Sequence, residues 1–218
     1  MSRRQIFQCT ITLLSNSCLF ILIFVSLFFC SCSINSFGKI GLQPEILSKI
    51  EKECESFFPC NFDKRYQKTE KGSFGPTDLI DINECFGIFI KPGMAFLDLG
   101  SGDGRVIFLA ALYGANATGI EYNETLYKIS TEAAKELSKS LKIKNINFIK
   151  GDYFAYDFSK YDIFYLFGEN ISELEKKLSR EMKKNSLLIT YEEGAPFNTL
   201  RLIRIFPAEK IKVYQKVN

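Results

Sequence analysis

A chain of 218 residues is long enough to form one domain with a sizeable buried core. Its formal charge of +3 is small and evenly spread, which argues against nucleic acid as a partner, since that requires a phosphate-neutralising surface. The sequence has no histidine, so histidine base chemistry and histidine-ligated metal are both excluded.

The N-terminal part stands apart. No charge occurs between Arg4 and Lys39, and Leu19 to Phe29 is apolar apart from Ser26. Arg3 and Arg4 followed by this run form the n-region and h-region of a signal peptide or a single transmembrane helix. The run Leu27-Phe28-Phe29-Cys30-Ser31-Cys32 loosely matches a bacterial lipoprotein cleavage box, so export after cleavage near Cys32 is the alternative to an uncleaved anchor. Charge does not orient the segment, because Arg3 and Arg4 on one side face Lys39 and Lys49 on the other. Residues 1–37 are read as this signal or anchor segment, 38–72 as a helical extension and linker, and 73–218 as the main domain. Of the seven cysteines, Cys9, Cys18, Cys30 and Cys32 belong to the leader. Cys54, Cys60 and Cys85 follow no usual zinc spacing and are read as ordinary thiols, with one disulfide among them if the chain is exported.

In the extension, Pro44 to Phe58 carries Ile46, Leu47, Ile50 and Phe57 among charges, the pattern of a short surface helix. Asn61 to Ser73 holds six charged residues and reads as a linker or mobile loop. Thr77 is then placed to cap a helix with Leu79, Ile80, Ile82, Cys85, Phe86 and Phe89 on its apolar side, ending before Pro92-Gly93.

Strand and helix patterns alternate from there. Strands are predicted at Ala95 to Leu99, Ala117 to Glu121, Ile146 to Lys150, Asp162 to Phe167 and Ser186 to Tyr191. Helical faces are carried by Leu126, Ile129, Ala133, Leu137 and Leu141, and by Ile171, Leu174, Leu178 and Met182. Such alternation implies an α/β fold with right-handed crossovers and a mainly parallel twisted sheet. Two last runs, Leu200 to Phe206 and Lys210 to Val217, joined through Pro207, predict a C-terminal antiparallel hairpin.

The chemistry concentrates in Phe96-Leu97-Asp98-Leu99-Gly100-Ser101-Gly102-Asp103-Gly104-Arg105-Val106. A strand running straight into a glycine-rich turn and a helix lets backbone approach a ligand closely. The third glycine arrives one residue too early for the dinucleotide fingerprint, which argues against NAD. Asp98 stands where a carboxylate would face a cationic ligand end and would repel a pyrophosphate. Glu121 ends the next strand, where it can accept from two ribose hydroxyls. Asp152 follows the third strand, placed to accept from an adenine amine, with Tyr153 or Phe154 to cover the ring. Together these describe an adenosyl amino acid. Asp103 is read as a helix-start residue, and Tyr122 and Asn123 as caps of the next helix. Tyr165-Leu166-Phe167-Gly168-Glu169-Asn170 lacks the Asn-Pro-Pro-aromatic signature, which argues against methylation of adenine or cytosine. Asn170 is read as a helix cap boxed with Glu173.

The run Asp98 to Val106, with Gly119-Ile120-Glu121-Tyr122-Asn123 and the upstream Phe74-Gly75-Pro76-Thr77, resembles the membrane-anchored lysine methyltransferases acting on the adenine nucleotide translocase and the ATP synthase c-subunit. The similarity spans about Ser73 to Pro196. It implies a Rossmann-like class I methyltransferase fold and S-adenosyl-L-methionine as cofactor. That cofactor would be held by Asp98, Gly100, Ser101, Gly102, Gly104, Glu121, Asp152 and Tyr153, with Thr77 helping to close over its amino-acid end. It also implies a protein lysine at a membrane as acceptor, with Tyr165 and Glu169 beside it and Glu169 steadying the incoming ammonium. The cofactor is cytosolic, which favours an uncleaved anchor with the domain on the cytoplasmic side. A small-molecule or lipid methyltransferase, and a non-enzymatic exported lipoprotein on the same fold, are the other readings.

Overall fold

A computed structural model describes residues 41–168, 171–192 and 196–218. The predicted leader over 1–37 and the candidate residues Glu169 and Asn170 lie outside them. No helix among the described residues is long and apolar enough to cross a membrane.

Helix α1 (Pro44–Ser56) opens with proline in its first turn, where a missing N–H costs nothing, and buries Leu47, Ile50 and Cys54. The stretch read as a linker is not one. It contains a hairpin, β1 (Gln67–Thr69) and β2 (Gly72–Phe74), with Gln67 opposite Phe74. In α2 (Leu79–Phe89) the cap is Asp78, whose carboxylate accepts from Ile80 N at 3.0 Å, and not Thr77. Its buried face is Leu79, Ile82, Asn83, Cys85 and Phe86. Ile80, expected on that face, is 53% exposed, because it lies about a hundred degrees round the helix from Leu79.

The remaining strands are β3 (Ala95–Leu99), β4 (Asn116–Glu121), β5 (Ile146–Lys150), β6 (Ile163–Phe167), β7 (Leu187–Tyr191), β8 (Arg201–Ile205) and β9 (Ile211–Gln215). They form one sheet in the order β5-β4-β3-β6-β7-β9-β8. The first five run parallel, and β9 joins β7 antiparallel with β8 outside it, as the terminal hairpin predicts. Helices α3 (Arg105–Leu112) and α4 (Glu124–Ser140) follow β3 and β4, and α5 (Ser172–Glu181) follows β6. Helix α5 starts from Ile171, which makes no side-chain cap bond.

Alternation along the strands sorts side chains into two cores. Ile163 and Tyr165 of β6 join a cluster with helices α1 to α4, while Phe164 and Leu166 face a second cluster with Leu174 and Leu178 of α5. Cys54, Cys60 and Cys85 are free thiols. The chain proceeds β3, β4, β5 outward and returns to place β6 beside β3. The sheet's switch point therefore lies between β3 and β6, and a crevice opens there at the strands' carboxyl ends.

Candidate active site

That crevice is a cavity of about 790 Å³, within the range of small-molecule sites. Its floor is the loop from β3 to α3. Gly100 N and Ser101 N both donate to Ile120 O at 3.0 Å, tying the loop to β4, and Gly104 N donates to Ser101 O at 2.9 Å. Gly100 has φ 90° and Gly104 φ 85°, left-handed values that favour glycine. Their reasons differ. A Cβ on Gly104 would stand 2.8 Å from the Phe148 ring and 2.9 Å from Ser130 Cβ, whereas one on Gly100 would meet nothing within 4 Å. Gly104 is required by packing, and Gly100 keeps an open surface. Gly102 turns its amide to Glu121 Oε2 at 2.8 Å.

Three predicted carboxylates border this cavity, each in a different state. Asp98, at 2% exposure, has no hydrogen bond or ion pair to its carboxylate among the described residues. Burial, with repulsion from Glu121 and Asp103, pushes its carboxyl well above the usual range. Glu121 is also buried, but accepts from Gly102 N and, at 2.7 Å, from Asn123 N. Burial raises its carboxyl and these amides oppose the rise. Asp152 caps the turn Tyr153–Ala155 by accepting from Phe154 N at 3.0 Å, and it pairs with Lys71. The Lys71 bond holds it below the ordinary carboxylate range. Tyr153 borders the cavity with its ring 4.8 Å from that of Phe154. Asn123 caps α4 by accepting from Leu126 N at 3.0 Å. Tyr122 does not cap; its ring lies 4.5 Å beneath the Lys71 ammonium.

Ser101 borders the cavity too, but its hydroxyl is turned to Gly119, where an added Cβ would sit 2.6 Å away, and it has no partner among the described residues. Asp103 behaves as the predicted helix-start residue. Its carboxylate accepts from Arg105 N at 3.2 Å and pairs with the Arg105 guanidinium at 2.7 Å, both side chains being buried. Arg105 Nη2 also lies 3.8 Å from Glu55 of α1, bracing the loop from behind.

The β1–β2 hairpin roofs the cavity, contributing Thr69, Lys71, Gly72, Ser73 and Phe74. Its tip is fastened twice: Lys71 to Asp152, and Glu70 Oε2 accepting from Asn123 Nδ2 at 2.8 Å. Its base is held by Phe74, buried against Phe58 and Phe62 at ring distances of 5.6 and 5.9 Å. Sequence patterning missed this roof, because three-residue strands show no readable alternation.

On the opposite flank, Tyr165 is 1% exposed, and its hydroxyl lies 2.8 Å from Thr77 Oγ1. Burial pushes its phenol far up, so it stays protonated near neutral pH. Tyr165 and Thr77 therefore form one buried hydrogen-bonded pair joining β6 to the roof's base. Phe167, Gly168, Ile171 and Glu192 complete this side. Among the described residues no group of three or more acidic or cysteine side chains could hold a metal.

Residues 98–192 match the ANTKMT methyltransferase domain. The chain is 34% identical over 104 residues to the ATP synthase c-subunit lysine N-methyltransferase of Caenorhabditis elegans, covering 47% of this chain and 53% of that protein. It is 34% identical over 97 residues to the enzyme of the same description from Homo sapiens, covering 44% and 40%. It is 31% identical over 113 residues to a protein-lysine N-methyltransferase of Saccharolobus islandicus (strain REY15A), covering 50% of this chain and 68% of that protein. The chain thus spans about half the length of the worm and human relatives.

Proposed function

The chain belongs to the protein-lysine N-methyltransferases, and from that membership, with the ANTKMT domain match over residues 98–192, we propose that it transfers a methyl group from S-adenosylmethionine to a lysine side chain of a protein. The observation that carries the cofactor assignment is Asp98: a buried carboxylate with no partner among the described residues, bordering a cavity, is costly unless a cation completes it. Gly100 supports the fit, since the space a Cβ would take is open beside that carboxylate's strand.

When bound, S-adenosylmethionine supplies a methyl carbon on a cationic sulfonium. The chain's own residues bind and orient. Asp98 receives the amino-acid end, Gly100 lets backbone come close, and Glu121, steadied by two amides, presents its remaining lone pairs to vicinal hydroxyls. Asp152 and Tyr153 serve the base, the first at its edge and the second at its face. Tyr165 keeps its proton and so positions the wall rather than acting as a base. Glu169, assigned from its place in the sequence just after β6, helps to steady the arriving ammonium. Catalysis then rests on orientation and exclusion of water, with the acceptor's proton passing to solvent.

The 1–37 segment, uncharged after Arg4, tethers the enzyme at a membrane with the domain on the cytoplasmic side, next to a membrane-protein lysine. The test has two parts. Calorimetry on the full chain should give micromolar S-adenosylmethionine binding that Asp98→Ala abolishes. Mass spectrometry of membrane proteins from cells with and without the gene should show loss of a specific methyl-lysine. Absence of cofactor binding by folded wild-type protein would overturn the enzyme reading. Binding with every methyl-lysine retained would move the acceptor to a small molecule or lipid.

A further inference from the structure

Strand order lays the site out as a line. Asp152 and Tyr153 follow β5, Glu121 ends β4, Asp98 and Gly100 close β3, and Phe167 and Glu192 follow at β6 and β7. The groups suited to an adenosyl amino acid occupy the β5, β4 and β3 ends, leaving the β6 and β7 ends of the same cavity for the acceptor.

Among the described residues, Glu192 is an unassigned charge at that end. It is exposed, borders the cavity, and has no hydrogen bond or ion pair to its carboxylate among the described residues. Its φ of 50° is in the left-handed region, which a glutamate seldom occupies without a reason. The strained turn is fixed by Glu192 N donating to Lys210 O at 2.7 Å. The carboxylate beside it is already engaged, for Asp81 accepts from Tyr191 OH at 2.7 Å and from Lys210 at 2.9 Å. Among the described residues on this side of the cavity, apolar ones lie near Glu192. Phe167 packs edge-on to Tyr191 at 5.0 Å, Ile171 is 40% exposed, and a Cβ on Gly168 would meet nothing within 4 Å. Apolar side chains and a carboxylate unpaired among the described residues, bordering one cavity, match a chain of methylenes ending in a cation.

We infer that Glu192 receives the acceptor's ammonium group, drawing an alkylammonium along the Phe167 and Ile171 wall towards the cofactor end of the cavity. The inference rests on the methyltransferase reading above and adds an acceptor-binding residue to it. A cation attracted here meets Glu192 before it loses its proton, so the residue governs capture and selectivity for a charged chain end, and Tyr165 and Thr77 border the same cavity without charge.

The test uses the full-length protein saturated with S-adenosylhomocysteine and two probes, n-butylamine as the ammonium mimic and 1-butanol as its neutral counterpart, read by ligand-observed NMR. Wild type should prefer the cation, and Glu192→Gln should weaken n-butylamine about fivefold while leaving 1-butanol unchanged, the loss expected of one partly exposed charge pair. Glu192→Asp should recover part of the preference, and melting curves of all three proteins should coincide. Equal binding of n-butylamine by wild type and Glu192→Gln, or no preference for the cation in wild type, overturns the inference while leaving the cofactor reading intact. Failure of wild type to bind S-adenosylhomocysteine removes the cofactor reading itself, and the inference with it.

Discussion

Replacing Asp98 by asparagine keeps the side chain's shape and removes its charge, and the expected effects on binding and on stability have opposite signs. In the ligand-free protein the carboxylate is 2% exposed, unpartnered among the described residues and repelled by Glu121 and Asp103. Removing that charge is expected to stabilise the fold by about 1 to 2 kcal/mol, an isostere's relief of an uncompensated buried ion. For a chain of this size that is about 3 to 6 °C in melting temperature. In the complex the same change leaves a ligand cation without its partner, at a cost of about 3 kcal/mol, or roughly a hundredfold in affinity. The pH dependence follows from the raised carboxyl. A group whose folded-state value lies above its ordinary 3.8 contributes stability that is complete below that ordinary value and is lost as pH rises through the raised one. The melting-temperature gap between Asp98→Asn and wild type should therefore widen as pH climbs from 4, and cofactor affinity of wild type should rise over the same interval as binding expels the proton. Scanning fluorimetry and calorimetry from pH 4 to 9 measure both. A variant that melts below wild type at neutral pH and binds S-adenosylmethionine within threefold of it would refute the assignment of Asp98 as the cation's partner.

Tyr165→Phe should destabilise by about 1 to 3 kcal/mol by leaving Thr77 Oγ1 unpaired. Combining it with Thr77→Val should recover most of that loss in a double-mutant cycle read by urea unfolding. Asp103→Asn removes the buried charge partner of the Arg105 guanidinium, itself 5% exposed, leaving it Thr77 O at 3.5 Å and Glu55 at 3.8 Å, so a loss of about 3 kcal/mol is expected in the same assay. Gly104→Ala combines a left-handed backbone with contacts of 2.8 Å to Phe148, for which about 2 to 4 kcal/mol is expected. Thermal melts check this, and a change below 0.5 kcal/mol would show that the loop yields more easily than its packing implies.

What could be read from the sequence was local or followed from strand order. The strand, glycine turn and helix from Ala95 to Leu112 lie next to one another in the chain, and Asn123 caps its own helix three residues on. Asp98, Glu121 and Asp152 share no neighbourhood in sequence, yet parallel strands of one sheet bring their carboxyl ends together, so alternation alone sufficed to group them. What failed depended on contacts across the fold. The charges of Asn61 to Ser73 suggested a linker or mobile loop, whereas Lys71 and Glu70 are held by Asp152 and Asn123, some eighty and fifty residues away. Thr77 and Asp78 are equally good caps by type, and Tyr165 engages the first of them, leaving the second at the helix start. The direction of the Ser101 hydroxyl was set by the bare backbone of Gly119 on the neighbouring strand.

The roof and the floor of the cavity come from different stretches of chain. The floor and most of the flanks are drawn from the 98–192 span matched by the ANTKMT methyltransferase domain, while the hairpin at Gln67–Phe74 precedes it. Among the contacts that join them are the Lys71–Asp152 ion pair, the Asn123 amide on Glu70, the Lys71 ammonium over Tyr122, and Phe74 packed with Leu126 and Ile129. The hairpin is thus a replaceable part. Lengthening its turn or exchanging its tip alters which molecules are admitted and how fast they leave, without disturbing Asp98, Gly100 or Glu121. Selection and laboratory evolution can work on access by editing fewer than ten residues, and of the groups assigned to the cofactor it is Asp152, paired with Lys71 of the tip, that feels such an edit.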